Sequence, residues 1–148
     1  MSLAATIGDS GRVRARTLLA RGGERAAELS GRPATHRLFL RAVPAAMRQR
    51  FDADSARGLD TVLELRIRDP AGGAATPFTL AISNGSCTIT RGGNGAARAG
   101  IELGSDDMIR LVSGGVGWPK LLAAGRLALS GDPFLGLRVP NLFRLPAG

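Results

Sequence analysis

Few side chains in this sequence can do covalent chemistry, and their spacing does not bring them together. There is one histidine, His36, one cysteine, Cys87, and no tyrosine. Gly8–Gly11 reads Gly-Asp-Ser-Gly, the form of the nucleophile motif of chymotrypsin-like proteases. That chemistry needs a histidine base and a buried carboxylate held by a much larger double barrel, so Ser10 is not read as a nucleophile. Cys87 falls on the inward face of a strand, with no base or cation suggested beside it, and reads as a small hydrophobe. His36 opens a helix and reads as structural. Asp106 and Asp107 stand where a helix begins and suit the positive end of its dipole before any acid/base role. Gly93–Arg98, "GNGAAR", has two glycines of a dinucleotide fingerprint but lacks the third, and no helix follows. A single cysteine excludes an internal disulfide and any cysteine-cluster metal site. No catalytic residue, metal ligand or cofactor is expected, and the chain is not read as an enzyme.

The elements that would carry these residues can be placed from periodicity. Residues 36–51 repeat at helical spacing through Phe39, Val43, Ala46 and Met47, with Pro44 expected to kink the helix or start a second one. The period then changes to two. Leu63, Leu65 and Ile67 share one face of a strand, as do Phe78, Leu80 and Ile82 of the next. Asn84-Gly85 is a two-residue hairpin signal, because both residues accept positive φ. That turn sets Ile82 opposite Cys87 and Leu80 opposite Ile89, which keeps all four on one face. Ala99, Ile101 and Leu103 point inward from a fourth strand. Ser105 is expected to cap a helix with Met108, Leu111 and Val112 on its apolar stripe, ended by Gly114. Trp118–Gly125 is a second short helix with Pro119 in its first turn. A fifth strand turns Leu127 and Leu129 inward, and a terminal helix follows. The order predicts an α+β fold: a single twisted, mainly antiparallel five-stranded sheet with helices packed on one face.

Charge is unevenly distributed. The net charge is +8, and residues 1–50 hold ten arginines against Asp9, Glu24 and Glu28. Residues 1–35, interrupted by Gly22-Gly23, read as a basic N-terminal extension with a short helix, and residues 36–148 as the domain. Such an arm reads first as a solvated, mobile extension and second as one that meets an anionic membrane surface. Nucleic acid is not expected: aromatic residues are 4% of the chain, and the outward strand residues Thr79, Ala81, Thr88 and Thr90 are neutral. No apolar run spans a bilayer, and neither end resembles a secretory or peroxisomal address. The expected location is cytoplasmic.

The chain carries more apolar surface than short helices usually need. On a helical wheel from Asp132, residues Leu135, Val139, Leu142 and Phe143 form one arc. Phe134 and Leu137 fall outside it, among Arg138, Asn141 and Arg144. Burying each of those two is worth roughly 1.5–3 kcal/mol, so something is expected to cover them. Trp118, Leu121 and Leu122, with Met108, would form an opposite wall. Two readings follow: a cavity suited to an aliphatic ligand, or ordinary packing among short helices. Pro140, four residues after Gly136, is expected to kink or break the terminal helix into a two-part lid.

The order of motifs from about His36 to Leu145 resembles the sterol carrier protein type-2 family, the SCP2-like lipid-binding domain. "DPAGGAATPFTLAISNGSCTI" is similar to its Gly-rich loop, strand, Asn-Gly hairpin and return strand. "IELGSDDMIRLVSGG" resembles its strand-to-helix passage, "LLAAGRLALSGD" its Gly-Lys/Arg-Leu strand, and "FLGLRVPNLF" its C-terminal helix. The resemblance implies non-enzymatic binding or transfer of an apolar lipid (sterol, fatty acid or acyl-CoA) in a tunnel between the sheet and the C-terminal helix. It implies walls from Met108, Leu111 and Val112, from Trp118, Leu121 and Leu122, and from Phe134, Leu137 and Leu142. Leu80, Ile82, Ile89 and Leu129 would form the floor. Some domains of the family serve larger enzymes as accessory or dimerising modules. A homodimer or protein partner using the same apolar helices is therefore the alternative expectation.

Overall fold

The structure, a computed structural model, describes residues 22–29 and 31–145. The Gly-Asp-Ser-Gly motif and most of the basic arm lie outside the described residues.

Helix α1 spans 22–29. The glycine pair forms its first described turn. Gly23 is buried against α3 (Ser105–Ser113), where a Cβ would overlap the Ser113 side chain, so only glycine permits that approach. Helix α2 (Pro33–Arg50) opens with Pro33 in its first turn and closes on Arg48 and Arg50, which suit the negative end of the dipole. It runs as one helix through Pro44 and starts no second one. Its buried stripe is His36, Leu40, Val43 and Met47, while Phe39 is half-buried and Ala46 exposed. Val43 and Met47 are buried as expected, while His36 and Leu40 take the places expected of Phe39 and Ala46. His36 is buried with Nδ1 3.3 Å from the buried Ser105 Oγ.

The strands are β1 (Thr61–Arg68), β2 (Thr76–Ser83), β3 (Ser86–Arg91), β4 (Ala99–Gly104) and β5 (Leu127–Gly131). They form one five-stranded sheet in the order β3-β2-β1-β4-β5. Only β1 and β4 are parallel; the other neighbours are antiparallel. At the hairpin, Asn84 has φ 52° and Gly85 φ 75°, and Ile82 pairs with Cys87 and Leu80 with Ile89. Turn chemistry and apolar alternation select the same register. Leu63, Leu65, Ile67, Phe78, Leu80, Ile82 and Leu103 share the buried face. The opposite face carries charged rungs, with Arg66 3.7 Å from both Glu64 and Glu102.

Ser105 does not cap α3. Gly104 holds the cap position, and the Ser105 hydroxyl is turned to His36 instead. Gly114 ends α3 at φ 82°, as expected of a left-handed stop. Helix α4 (Trp118–Ala123) has Pro119 in its first turn. Helix α5 (Pro133–Leu142) is capped by Asp132, whose Oδ1 accepts from the N–H groups of Phe134 at 3.0 Å and Leu135 at 3.4 Å. It runs unbroken through Pro140. The proline forfeits its own bond to Gly136, but the next turn is restored: Phe143 N donates to Val139 O and Leu145 N to Pro140 O.

A candidate apolar cavity

Two halves of the buried face differ. Beneath α2, Leu80, Ile82 and Ile89 belong with Leu40 and Val43 to the buried core. Across β1, β4 and β5 the packing leaves a void of about 40 Å³. Its floor is Leu65, Ile101, Leu103, Leu127 and Leu129. Its walls are Met108, Leu111 and Val112 from α3, Trp118 from α4, and Gly136, Val139 and Pro140 from α5, with Met47 and Leu145 at the sides. Every one of these side chains is apolar save for the indole N–H, and none can ionise. Such a wall can solvate a hydrocarbon; it offers no nucleophile, acid or base.

Of the residues expected at a lipid site, Met108, Leu111, Val112, Trp118 and Leu129 meet at this void. Leu80, Ile82 and Ile89 do not reach it: they sit on β2 and β3, under α2. Leu121 is buried on the other side of α4, beside Asp107 and Arg126, and Leu122 is half-buried away from the void. Leu142 is fully buried in the core. Phe134 and Leu137 are 80% and 45% exposed, so nothing among the described residues covers them. They lie outside the inner arc of Leu135, Val139 and Leu142, as the helical wheel placed them, and do not line the void. Residues not anticipated at the void are Met47, Leu65, Ile101, Leu103, Leu127, Gly136, Val139, Pro140 and Leu145. The strand alternation had already turned Ile101, Leu103 and Leu127 inward. Gly136 leaves no hydrophobic signal, because its contribution is the absence of a side chain.

Charge is collected outside the cavity. Asp107 is buried and accepts from Arg126 Nε at 2.8 Å and Arg110 Nη1 at 3.1 Å. Arg110 also holds Glu24 of α1 through two hydrogen bonds of 2.9 Å. Hydrogen bonding to Glu24 raises the Arg110 pKa, and bonding to Asp107 raises that of Arg126. Arg110 in turn lowers the Glu24 carboxyl. This network ties α1, α3 and the start of β5 together. The Cys87 thiol is pushed up to about 11 by burial, with Arg48 opposing the shift, which is the reverse of an activated nucleophile. Among the described residues no group of three His, Cys, Asp or Glu side chains could hold a metal ion. No helix among them is long and apolar enough to cross a membrane.

Comparison with known proteins agrees with this fold. The fold is similar to the crystal structure of sterol carrier protein 2 like 2 from Aedes aegypti, with a TM-score of 0.60 at 17% identity over 72% of this chain and 97% of that one. It is similar to the solution structure of palmitated SCP2L2 from the same organism, with a TM-score of 0.56 at 17% identity over 70% of this chain and 93% of that one. It also matches part of the sec-alkylsulfatase Pisa1 from Pseudomonas sp., with a TM-score of 0.54 at 22% identity over 69% of this chain. There the chain spans only 15% of the larger protein. The search of curated proteins found no match. The sequence model of the SCP-2 sterol transfer family matches residues 44–144, from the middle of α2 to the end of the last helix, and the chain belongs to that family.

Proposed function

We propose that this chain binds a lipid in the cavity between the sheet and helices α3–α5 and carries it without covalent chemistry. The observation that carries the reading is the wall: fourteen residues line the void, and none of them can ionise. Family membership and the likeness to a palmitated relative support the same reading. The void is small. At about 40 Å³ it is far below the roughly 300–1,000 Å³ of pockets that enclose small-molecule ligands. On this reading a lipid of that size enters only if the side chains around the void move apart. Native mass spectrometry and organic extraction of the purified protein, with displacement of a fluorescent fatty acid, test the reading. A co-purified or displaceable apolar lipid is the expected result. Protein free of lipid that also fails to take up the probe would end the reading.

The exposure of Phe134 and Leu137 favours a second reading, an accessory or dimerising module that buries these two side chains against protein. Gel filtration of the wild type beside Phe134→Asp separates the readings. A dimer lost on substitution supports the module. Unchanged mass with intact lipid binding supports the carrier.

A further inference from the structure

Beside the closed cavity lies a groove of about 330 Å³ between α2 and α3. Helix α2 contributes Phe39, Ala42 and Ala46, and α3 contributes Ile109 and Ser113. Met47, Met108 and Val112 line both spaces, so the groove and the cavity stand on opposite sides of the same three side chains. Two of the three are methionines, unbranched and with three rotatable bonds each, the side chains best able to swing aside without disturbing the backbone. The other boundary is less yielding. The C-terminal end of α5 is pinned by Asp52 N donating to Leu142 O at 2.8 Å and by the Phe51 ring, tilted against Phe143 with centroids 5.7 Å apart. Arg50 adds bonds from Nε to Phe143 O at 3.2 Å and from Nη2 to Arg144 O at 2.7 Å.

Arg50 also lines the groove with Gln49. Its guanidinium is held in place by two carbonyls but makes no ion pair among the described residues. A fixed, unneutralised cation at the rim of an apolar groove complements one kind of ligand: an anionic head on a single hydrocarbon chain. We propose that the α2–α3 groove is the mouth of the cavity. A long-chain carboxylate enters tail first past Met47 and Met108, and Arg50 holds its head group. This rests on the lipid-binding reading above and adds the route, the gate and the head-group partner.

The test uses the full chain and two probes, a pyrene-labelled fatty acid and its methyl ester. Ala46 is exposed on the groove, so Ala46→Trp fills the mouth without entering the core. Stopped-flow loading of the acid is expected to slow about tenfold or more, a barrier change of about 1.4 kcal/mol per decade. Leu137→Trp, on the outer face of α5, leaves the rate unchanged. Arg50→Gln is expected to reduce the preference for acid over ester about tenfold. Because Arg50 also supports the C-terminus, the ester serves as internal control: general loosening weakens both probes alike, and only loss of the head-group contact changes their ratio. Loading of Ala46→Trp at the wild-type rate, or an unchanged ratio in Arg50→Gln, would overturn the proposal while leaving lipid binding intact. So would a dimer lost on Ala46→Trp, which would make the groove an interface between copies. A wild type that binds neither probe would remove the lipid reading and this one with it.

Discussion

Replacing Gly136 by alanine should make the protein more stable and a poorer lipid binder at once. Gly136 is buried inside α5 and lines the cavity. A Cβ there would meet the two δ-methyls of Leu129 at 3.5 and 3.6 Å, which is ordinary contact. The position needs no positive φ, so alanine brings no backbone strain. It removes the helix penalty of glycine, roughly 0.8–1 kcal/mol, and buries one methyl worth about 0.8 kcal/mol. The sum is a gain of about 1–2 kcal/mol, or a Tm higher by about 3–8 °C for a domain of this size. The same methyl takes space from a void of only about 40 Å³, so affinity for a fluorescent fatty acid should fall about threefold to tenfold. Thermal melts and probe titration on one preparation read both effects. A lower Tm would mean that α5 and β5 leave no room at Gly136. A higher Tm with unchanged affinity would mean that the lipid does not pass beside this helix.

The other expectations concern charge and the thiol. Asp107→Asn leaves Arg110 and Arg126 facing a neutral amide in a buried position. Chemical denaturation should show a loss of about 2–3 kcal/mol, and a loss under 0.5 kcal/mol would mark the network as ornamental. With its pKa raised from 9.0 to about 11, Cys87 should react with iodoacetamide at pH 8 about a hundredfold more slowly than an unperturbed thiol. Its rate should still climb tenfold per pH unit up to pH 10; an earlier plateau would contradict the burial argument. Glu24 has its pKa lowered by Arg110. Its contribution to docking α1 is therefore complete above the ordinary carboxylate pKa and is lost as pH falls through the lowered value. Amide exchange in 23–28 should speed up across that acidic window in the wild type and be pH-independent, beyond the intrinsic rate, in Glu24→Gln.

Strands were legible because alternation and turn chemistry report the same physical fact, one wet face and one dry face. Asn84-Gly85 fixed the hairpin register to the residue. Helix faces were less legible where burial depended on pairing: His36 is inside because Ser105 meets it, and no hydropathy pattern records that. Local rules also overstated the prolines, since Pro44 and Pro140 each remove one hydrogen bond without ending a helix. The order of the sheet was beyond local reasoning, because the parallel contact of β1 with β4 joins segments separated by two strands. At the cavity, inward-facing residues could be recognised singly. Which of them border empty space and which border each other depends on how α2 and α5 divide the sheet between them. Leu80 and Leu129 have the same inward orientation and different neighbours for that reason.

That division bears on motion. The half of the domain under α2 is built on the hairpin strands, and the half under α3–α5 borders a void of about 40 Å³. Side chains that border a void have fewer contacts to lose, so the opening free energy on that side is expected to be the lower of the two. The more compliant part is therefore α3 and α4 on their side of the void, while the C-terminal end of α5 stays pinned by Asp52 and Arg50. Breathing of that part on the microsecond to second scale need not melt the hairpin, and amides of α3 and α4 should exchange ahead of those in β2 and β3.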